Sequence, residues 1–400
     1  MTKLKGSNYL SVKHNNRTLI LKIISTQGPI SRIDLSKTTG LSKMAITNIV
    51  NELIENGIVK ENTTFESDSL TSGRKPILLD VAENALYAIG IYISRDFFQI
   101  ALSNLKGELC NIITSKFAFD ESSDSFMTKL SSKLRYIIDN SNIPLDKILG
   151  IGISAIGPLD SQSGVILAPP NFYNIHETHI KEILEEQFKL NVYIDNDMNT
   201  SALAEKFYGK CAGISNFIYV GVTNGIGTGI IVNNQLYRGG NGFAGEIGHT
   251  TINFEGPKCT CGNIGCLELY ASIPEIIKQA KNAIELGVKT NLPHNLTWTD
   301  IVKYAVKNDE LCIKLIEKLC LYLSFGIVNL VNLFDPTAII VGHDIALAGS
   351  LVVDRLHTIV NHRSISANYK DVTIQTSEFK DQSPLIGSAV LVLTKTIFAD

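Results

Sequence analysis

Residues 245–272 read Gly-Glu-Ile-Gly-His-Thr-Thr-Ile-Asn-Phe-Glu-Gly-Pro-Lys-Cys-Thr-Cys-Gly-Asn-Ile-Gly-Cys-Leu-Glu-Leu-Tyr-Ala-Ser. Three of the seven cysteines, Cys259, Cys261 and Cys266, fall within eight residues here, and His249 lies ten residues upstream of the first. Three thiolates and one imidazole make up the soft, four-ligand set that Zn²⁺ takes in a tetrahedron. The Cys-x-Cys-x4-Cys spacing lets one loop wrap a single ion, with Gly262 and Gly265 easing its turns. Four protein ligands leave no open position, so the expected zinc is structural rather than hydrolytic. The competing reading is three buried or redox cysteines beside an unrelated histidine. Glu246 and Glu268 flank the same stretch. If one ring nitrogen of His249 holds the metal, the other is free for a ligand. Carboxylates and an imidazole fixed around a metal knot suit sugar hydroxyls, although taken alone the carboxylates are equally consistent with solvated surface.

Working outward, 400 residues suggest two or three domains. A composition of 44% hydrophobic and 19% charged residues describes a soluble globular chain able to bury a sizeable core. No apolar run reaches membrane-spanning length, and no apolar segment follows the charges of the first residues, so neither a membrane span nor a secretory signal is expected. An odd number of cysteines, clustered at one metal-like motif, fits a reducing cytoplasm. The other four, Cys110, Cys211, Cys312 and Cys320, are expected to be buried small hydrophobes. The net charge of −3 hides an asymmetry. Residues 1–60 hold nine Lys/Arg against three Asp/Glu, and residues 81–400 hold 25 against 32. A basic head on an acidic body points to a polyanion as the head's partner.

In that head, residues 1–14 read as frayed. Leu19, Ile20, Ile23 and Ile24 then recur at helical spacing up to Gly28-Pro29. Ser31 caps a short second helix that Gly40 closes. Ser42 caps a third, with Ile46, Ile49, Val50, Leu53 and Ile54 on its apolar face. Its other face carries Lys43, Met44, Thr47, Asn48 and Asn51. This is the plan of a helix-turn-helix: amide and small side chains reach base edges, while Ser42 and Lys43 suit phosphates. Two short strands, near 58–61 and 76–79, make a wing whose Arg74 and Lys75 reach phosphates or the minor groove. A small protein-interaction module is the alternative for these three helices.

The body opens on strands at 86–93, 98–102 and around 112–113, an antiparallel meander, followed by a helix near 124–141. Strands at 148–153 and 191–194 alternate with a helix near 177–187. Asn196 and Asp197 stand where the second of these strands passes into a helix near 199–207, a frequent place for ligand-binding groups in α/β folds. A strand at 217–222 leads through Asn224-Gly225-Ile226-Gly227-Thr228-Gly229 into another strand. This hairpin reads either as a phosphate cradle or as a simple turn. Beyond Ser272 the chain is largely helical (near 274–286, 298–307 and 309–333), with a strand at 338–342 and a last helix near 384–397. Trp298, the one tryptophan, reads as a packing residue.

These residues resemble the ROK family of repressors, open reading frames and sugar kinases. The resemblance rests on Glu246-x-Gly-His249, Cys259-x-Cys261-Gly-Asn-x-Gly-Cys266-x-Glu268 and Asn196-Asp197. The head, with Leu35, Thr39-Gly-Leu41, Leu53 and Ser72-Gly-Arg-Lys-Pro76, resembles the winged helix of the ROK repressors. Leu236-Tyr-Arg-Gly239, Asn253-Phe-x-Gly-Pro-Lys258 and Glu268-Leu-Tyr-Ala-Ser272 are similar to the xylose-repressor subgroup. The resemblance implies a winged helix-turn-helix at 1–82, followed at 83–400 by a two-lobed actin-like (ribonuclease H-like) α/β domain. Lobe one would span about 83–197 plus the C-terminal helix from about 384, and lobe two about 198–383. It implies a sugar in the cleft, held by Asn171, Asn196, Asp197, Glu246, His249 and Glu268. It implies zinc on His249, Cys259, Cys261 and Cys266.

The kinases of the family carry an Asp-x-Gly-Gly-Thr phosphate loop after the first strand. Here the matching positions are Tyr92-Ile-Ser-Arg-Asp96, and the later Gly-Gly of the nucleotide site is Gly342-His343. Asp197, the general base of the kinases, is kept, as is the glycine hairpin at 225–229. The sugar half therefore reads as intact and the nucleotide half as dismantled. The expectation is a cytoplasmic, non-enzymatic, sugar-responsive repressor of a carbohydrate operon, with operator DNA and a xylose-like effector as partners. A homodimer or dimer of dimers would present two heads to adjacent half-sites. The runner-up is an active sugar kinase with an appended head, which predicts sugar-dependent ADP release. A third reading is a protein-interaction module without sequence-specific DNA binding.

Overall fold

The computed structural model describes residues 9–62, 76–170 and 172–398. In the head, α1 (Tyr9–Gln27) leads through the short strand β1 (Ile30–Ser31) to α2 (Arg32–Thr39) and α3 (Lys43–Glu55). The strands β2 (Val59–Asn62) and β3 (Leu78–Val81) follow, and the three strands form a sheet of order β1-β3-β2. The expected capping residues do their work. Ser31 Oγ accepts from the Asp34 N–H, Ser42 Oγ accepts from the Ala45 N–H at 3.2 Å, and Gly40 closes α2 at φ +72°. Each satisfies a backbone group that the helix end would otherwise leave unpaired. Arg74 and Lys75, expected to reach phosphates or the minor groove, lie outside the described residues.

Two expectations for α1 are corrected. The helix starts at Tyr9, inside the stretch read as frayed. Leu19, assigned to the apolar face, is 41% exposed, whereas Thr18, Leu21 and Ser25 are buried. The reason is that α1 packs on two sides. Ile20, Ile23 and Ile24 face the head, and the 18-21-25 stripe turns toward the body, where Ser25 Oγ donates to the Leu105 carbonyl.

Lobe one is built on β4 (Tyr87–Ile93), β5 (Phe97–Asn104) and β6 (Leu109–Lys116), then α4 (Ser123–Asn140) and β7 (Ile148–Ala155). A small hairpin follows, β8 (Leu159–Asp160) and β9 (Val165–Ile166), then α5 (Ile180–Phe188), β10 (Val192–Asn196) and α6 (Asp197–Phe207). The sheet order is β10-β7-β4-β5-β6, antiparallel across β4-β5-β6 and parallel across β4-β7-β10. Cys211, Cys312 and Cys320 are buried as expected, but Cys110 is exposed. It lies on β6, the edge strand of this sheet, much of which faces solvent.

Lobe two repeats the mixed architecture. It comprises β11 (Phe217–Val222), β12 (Ile226–Val232), β13 (Gln235–Leu236), α7 (Glu268–Ala271), α8 (Ile273–Glu285), α9 (Trp298–Val306) and α10 (Glu310–Phe334). Then come β14 (Ala338–Gly342), α11 (Ser350–Arg363) and β15 (Thr373–Thr376), and the last helix, α12 (Ser383–Lys395), returns to lobe one, where Ser388 packs against Gly90 of β4 and Gly152 of β7. The sheet order is β13-β12-β11-β14-β15. Trp298 is buried, and its indole N–H donates to the Asp344 carbonyl at 2.8 Å, so it packs and anchors at once. Among the described residues no helix is long and apolar enough to cross a membrane.

Two helices tie the parts together. Apolar residues of α12 and α6 join one hydrophobic cluster with the head, and a Cβ at Gly387 would collide with the Thr200 carbonyl of α6. Every residue of α6 except Lys206 is buried. At its far end Phe207 stacks on Phe398, the Lys22 ammonium of α1 sits 4.8 Å above the Phe207 ring, and Tyr208 Oη donates to the Leu105 carbonyl at 2.7 Å. With a rise of about 1.5 Å per residue, α6 spans roughly 16 Å between β10 and the head.

Candidate functional site

His249 ends a short 3-10 turn, Ile247–His249, and the cysteine loop folds back beside it through the bridges Thr251–Cys266 and Lys258–Ile264. Gly262 and Gly265 both adopt positive φ, +95° and +61°, which lets so short a loop reverse twice. The donor atoms of His249, Cys259, Cys261 and Cys266 all lie within 4.8 Å of one another. Cys261 Sγ is 3.7 Å from Cys266 Sγ, and Cys259 Sγ is 3.7 Å from His249 Nδ1. Zinc–sulfur bonds of about 2.3 Å in a tetrahedron put neighbouring sulfurs about 3.8 Å apart, so these residues fit the ion. Among the described residues this is the one group of three or more His, Cys, Asp or Glu side chains arranged to hold a metal. The Asn263 backbone N–H holds the Cys261 thiol below its ordinary pKa, while burial raises the Cys259 thiol and pushes the Cys266 thiol up to about 12.

The carboxylates expected beside the knot are there. Glu268 Oε1 lies 3.4 Å from His249 Nδ1 and accepts from Cys259 Sγ at 3.5 Å, while its other oxygen faces Gly225 of the hairpin. Glu246 opens onto the cleft, but the surrounding walls crowd it and raise its pKa. The nearby His249 opposes that rise, and the Glu268 charge adds to it.

Opposite them stands the N-terminus of α6. Asn196 caps the helix, its side-chain oxygen accepting from the Met198 N–H at 2.9 Å. Asp197 is 4% exposed. Burial first, and the Glu246 charge second, push its carboxyl up to about 7, against the pull of the Met198 N–H. Asp195, just before them, is held by Arg238 of lobe two (Nε 2.8 Å, Nη2 2.6 Å) and by Asn199 (2.8 Å). This pairing between β10 and the loop after β13 was not anticipated, and its sequence signal is only the acidic residue heading Asp195-Asn196-Asp197. Asn171 lies outside the described residues.

The nucleotide half is filled. Tyr92 is buried and packs edge-on against Phe97 at 5.8 Å. His343 takes the left-handed backbone, φ +62°, that a glycine adopts freely, and its ring fills the space beside Asp197. Tyr219 Oη is 3.0 Å from its Nδ1, and its Nε2 is 3.9 Å from Asp197 Oδ2. Burial lowers the imidazole pKa to about 4, so it is neutral. Burial raises the Asp344 carboxyl, as do the charges of Asp381 and Asp96, although the Thr223 hydroxyl bonded to it at 2.5 Å opposes the rise. Three carboxylates sharing one field repel a nucleotide's phosphates. At the glycine hairpin, added β-carbons at Gly227 and Gly229 would press on Met198 and its carbonyl in α6, so these two glycines let the strand pack closely on that helix.

In the head, Ser42, Lys43, Met44, Thr47, Asn48 and Asn51 are all exposed, while Ile46, Ile49, Val50 and Leu53 are buried behind them. Met44 is 75% exposed, a large apolar side chain with no part in the core. Some of the polar capacity is already in use. Ser42 caps the helix, Thr47 Oγ1 donates to the Lys43 carbonyl, and Asn51 accepts from Arg32 at 3.3 Å.

A family profile described as winged helix-turn-helix DNA-binding matches residues 14–60, and the ROK family profile matches residues 88–395. The chain belongs to the ROK family. This ROK chain is 34% identical over 392 residues to the xylose repressor of Caldicellulosiruptor bescii, covering 97% of each chain. It superposes on a crystal structure of a ROK family transcriptional regulator, a homolog of the Escherichia coli MLC protein, with TM-score 0.81 and 28% identity over 97% of each chain. Its body has the fold of the ROK family glucokinase from Streptomyces griseus, at TM-score 0.68 and 23% identity over 76% of this chain and 98% of that one. The expected architecture, a winged helix followed by a two-lobed ROK domain, is the one found.

Proposed function

We propose that this ROK protein is a sugar-responsive, DNA-binding transcriptional repressor of a carbohydrate-utilisation operon, with xylose or a close relative as effector and no kinase activity. One observation carries the reading. The chain joins an exposed recognition helix to a cleft whose sugar side is furnished with Asp197, Glu246 and Glu268, and whose phosphate side is occupied by Tyr92 and His343.

In this reading Asn196, Asp197, Glu246, His249 and Glu268 hold sugar hydroxyls. His249, Cys259, Cys261 and Cys266 hold a structural zinc, which when bound fixes the loop bearing the two glutamates. Closing the cleft on sugar shifts α6, and α6 ends against α1 of the head. Two copies present two α3 helices to a palindromic operator, and the sugar releases them only as far as it prefers the closed form. A preference of about 1.4 kcal/mol gives a tenfold change. Ser42, Lys43, Met44, Thr47, Asn48 and Asn51 meet the DNA.

The kinase reading keeps one specific support, the retained Asp197 with a pKa near that of a working base. It predicts ADP release that needs the sugar. The test of the repressor reading is a band shift at fixed salt on DNA upstream of this protein's own gene, each lane challenged with one sugar from a panel led by xylose. A shift released by one sugar supports it. No shift by the metal-loaded protein, together with sugar-dependent ADP release, turns the conclusion to the kinase.

A further inference from the structure

His343 Nε2 is a buried polar atom without a hydrogen-bond partner, on a side chain only 4% exposed, and it points at Asp197 across 3.9 Å. Buried polar nitrogens are rarely left unpaired in a folded protein. Asp197 Oδ1 accepts from the Met198 N–H, and Oδ2 is the oxygen that faces the imidazole. An oxygen about 2.8 Å from both atoms would see them at an angle of about 90°, within reach of a hydroxyl's donor and acceptor directions. On the far side of the ring, Tyr219 lies 3.0 Å from Nδ1. When the tyrosine donates there, the neutral ring carries its proton on Nε2.

We propose that His343 is a specificity-determining residue of the effector site: its Nε2–H and the Asp197 carboxylate hold one sugar hydroxyl between them, and the imidazole closes the site to a substituent beyond it. The hydroxyl donates to Asp197 Oδ2 and accepts from His343 Nε2–H, which pairs both buried atoms at once. A pentose that presents that hydroxyl and has only hydrogens on the neighbouring ring carbon fits, and the hexose with a hydroxymethyl group on that neighbouring carbon meets the imidazole. This rests on the reading of the cleft as a sugar site.

The test is titration calorimetry of the full-length, zinc-loaded protein with xylose and with glucose, in the wild type and in His343→Gly. Glycine suits the backbone at φ +62°, and a thermal melt reports whether the variant is folded. The expected result is xylose affinity about threefold to tenfold weaker in the variant, the yield of one lost hydrogen bond, with glucose affinity gained so that the xylose-to-glucose ratio falls. A folded variant with unchanged xylose affinity and unchanged ratio overturns the role of His343 while leaving the sugar site standing. A wild type that binds neither sugar overturns the effector reading itself, and this inference with it.

Discussion

Replacing Asp197 by asparagine should stabilise the sugar-free protein at neutral and alkaline pH while weakening its hold on sugar. Asn keeps the shape of the side chain and an oxygen to accept from the Met198 N–H, so the helix start is preserved. What it removes is a buried charge. Folding raises the Asp197 carboxyl from 3.8 to about 7, and at about 1.4 kcal/mol per pH unit that amounts to ~4 kcal/mol. The sign follows from proton binding. The folded protein holds this proton more tightly than the unfolded chain, so the wild type loses stability as pH rises from about 4 to about 7 and loses no more above that. The variant has no such loss. Its advantage should be roughly 2 kcal/mol at pH 5 and about 4 kcal/mol at pH 8, a growth of about 2–3 kcal/mol. Denaturant unfolding of both proteins at the two pH values, without sugar and with zinc present, measures that growth. An advantage equal at pH 5 and pH 8 would refute the claim that a desolvated carboxylate is kept here at the expense of stability.

Three other perturbations separate the parts of the proposal. Cys261→Ser, or a chelator on the wild type, should lower the melting temperature and loosen sugar binding together, and unchanged sugar affinity in the variant would break the link between the metal knot and the glutamates. Lys43→Ala should weaken operator binding to a similar degree on all sequences and reduce the salt dependence by about one ion, with sugar affinity untouched; an undiminished salt slope would remove Lys43 from the phosphate contacts. Tyr208→Phe removes the hydroxyl that donates to the Leu105 carbonyl at the junction of α6 and the head. It should leave sugar affinity in place but reduce the sugar's power to release DNA, seen as a higher sugar concentration for half-release in a band shift, and wild-type release would show that the coupling runs elsewhere.

Much of this molecule could be read in order along the chain because its signals are local. Ser31, Gly40 and Ser42 mark helix ends by what their own side chains or backbones do within three residues. The metal knot is encoded in a loop where spacing nearly determines geometry. The failures have the opposite character. Leu19 and Leu21 exchange roles because α1 answers to a surface 80 residues away, and Cys110 is exposed because β6 is the sheet's edge. Residues 350–363 form a helix with only Val352, Leu356 and Val360 buried, too sparse a stripe to announce itself, and β15 pairs with β14 through four residues. The replacement of the kinase glycine by His343 was visible in the sequence. Its pairing with Tyr219, 124 residues away, and its approach to Asp197 were not, because nothing in the chain between them reports distance.

The core of the head runs without a break into that of the body. Ile20, Leu53 and Val81 belong to one apolar cluster with Leu203 and Phe207 of α6, Val390 of α12, and Phe398. Cutting the chain after residue 82 would lay a strip of that cluster open to water, so the isolated head should be a sticky fragment rather than a portable module. Heads exchanged between related repressors would need the matching residues at the ends of α6 and α12 to travel with them. Met44, Thr47 and Asn48 project from α3 with no role in holding the core together. New operator preferences should therefore be reached more readily by point changes on that face than by grafting whole heads, because such changes leave the joint between head and body as it is.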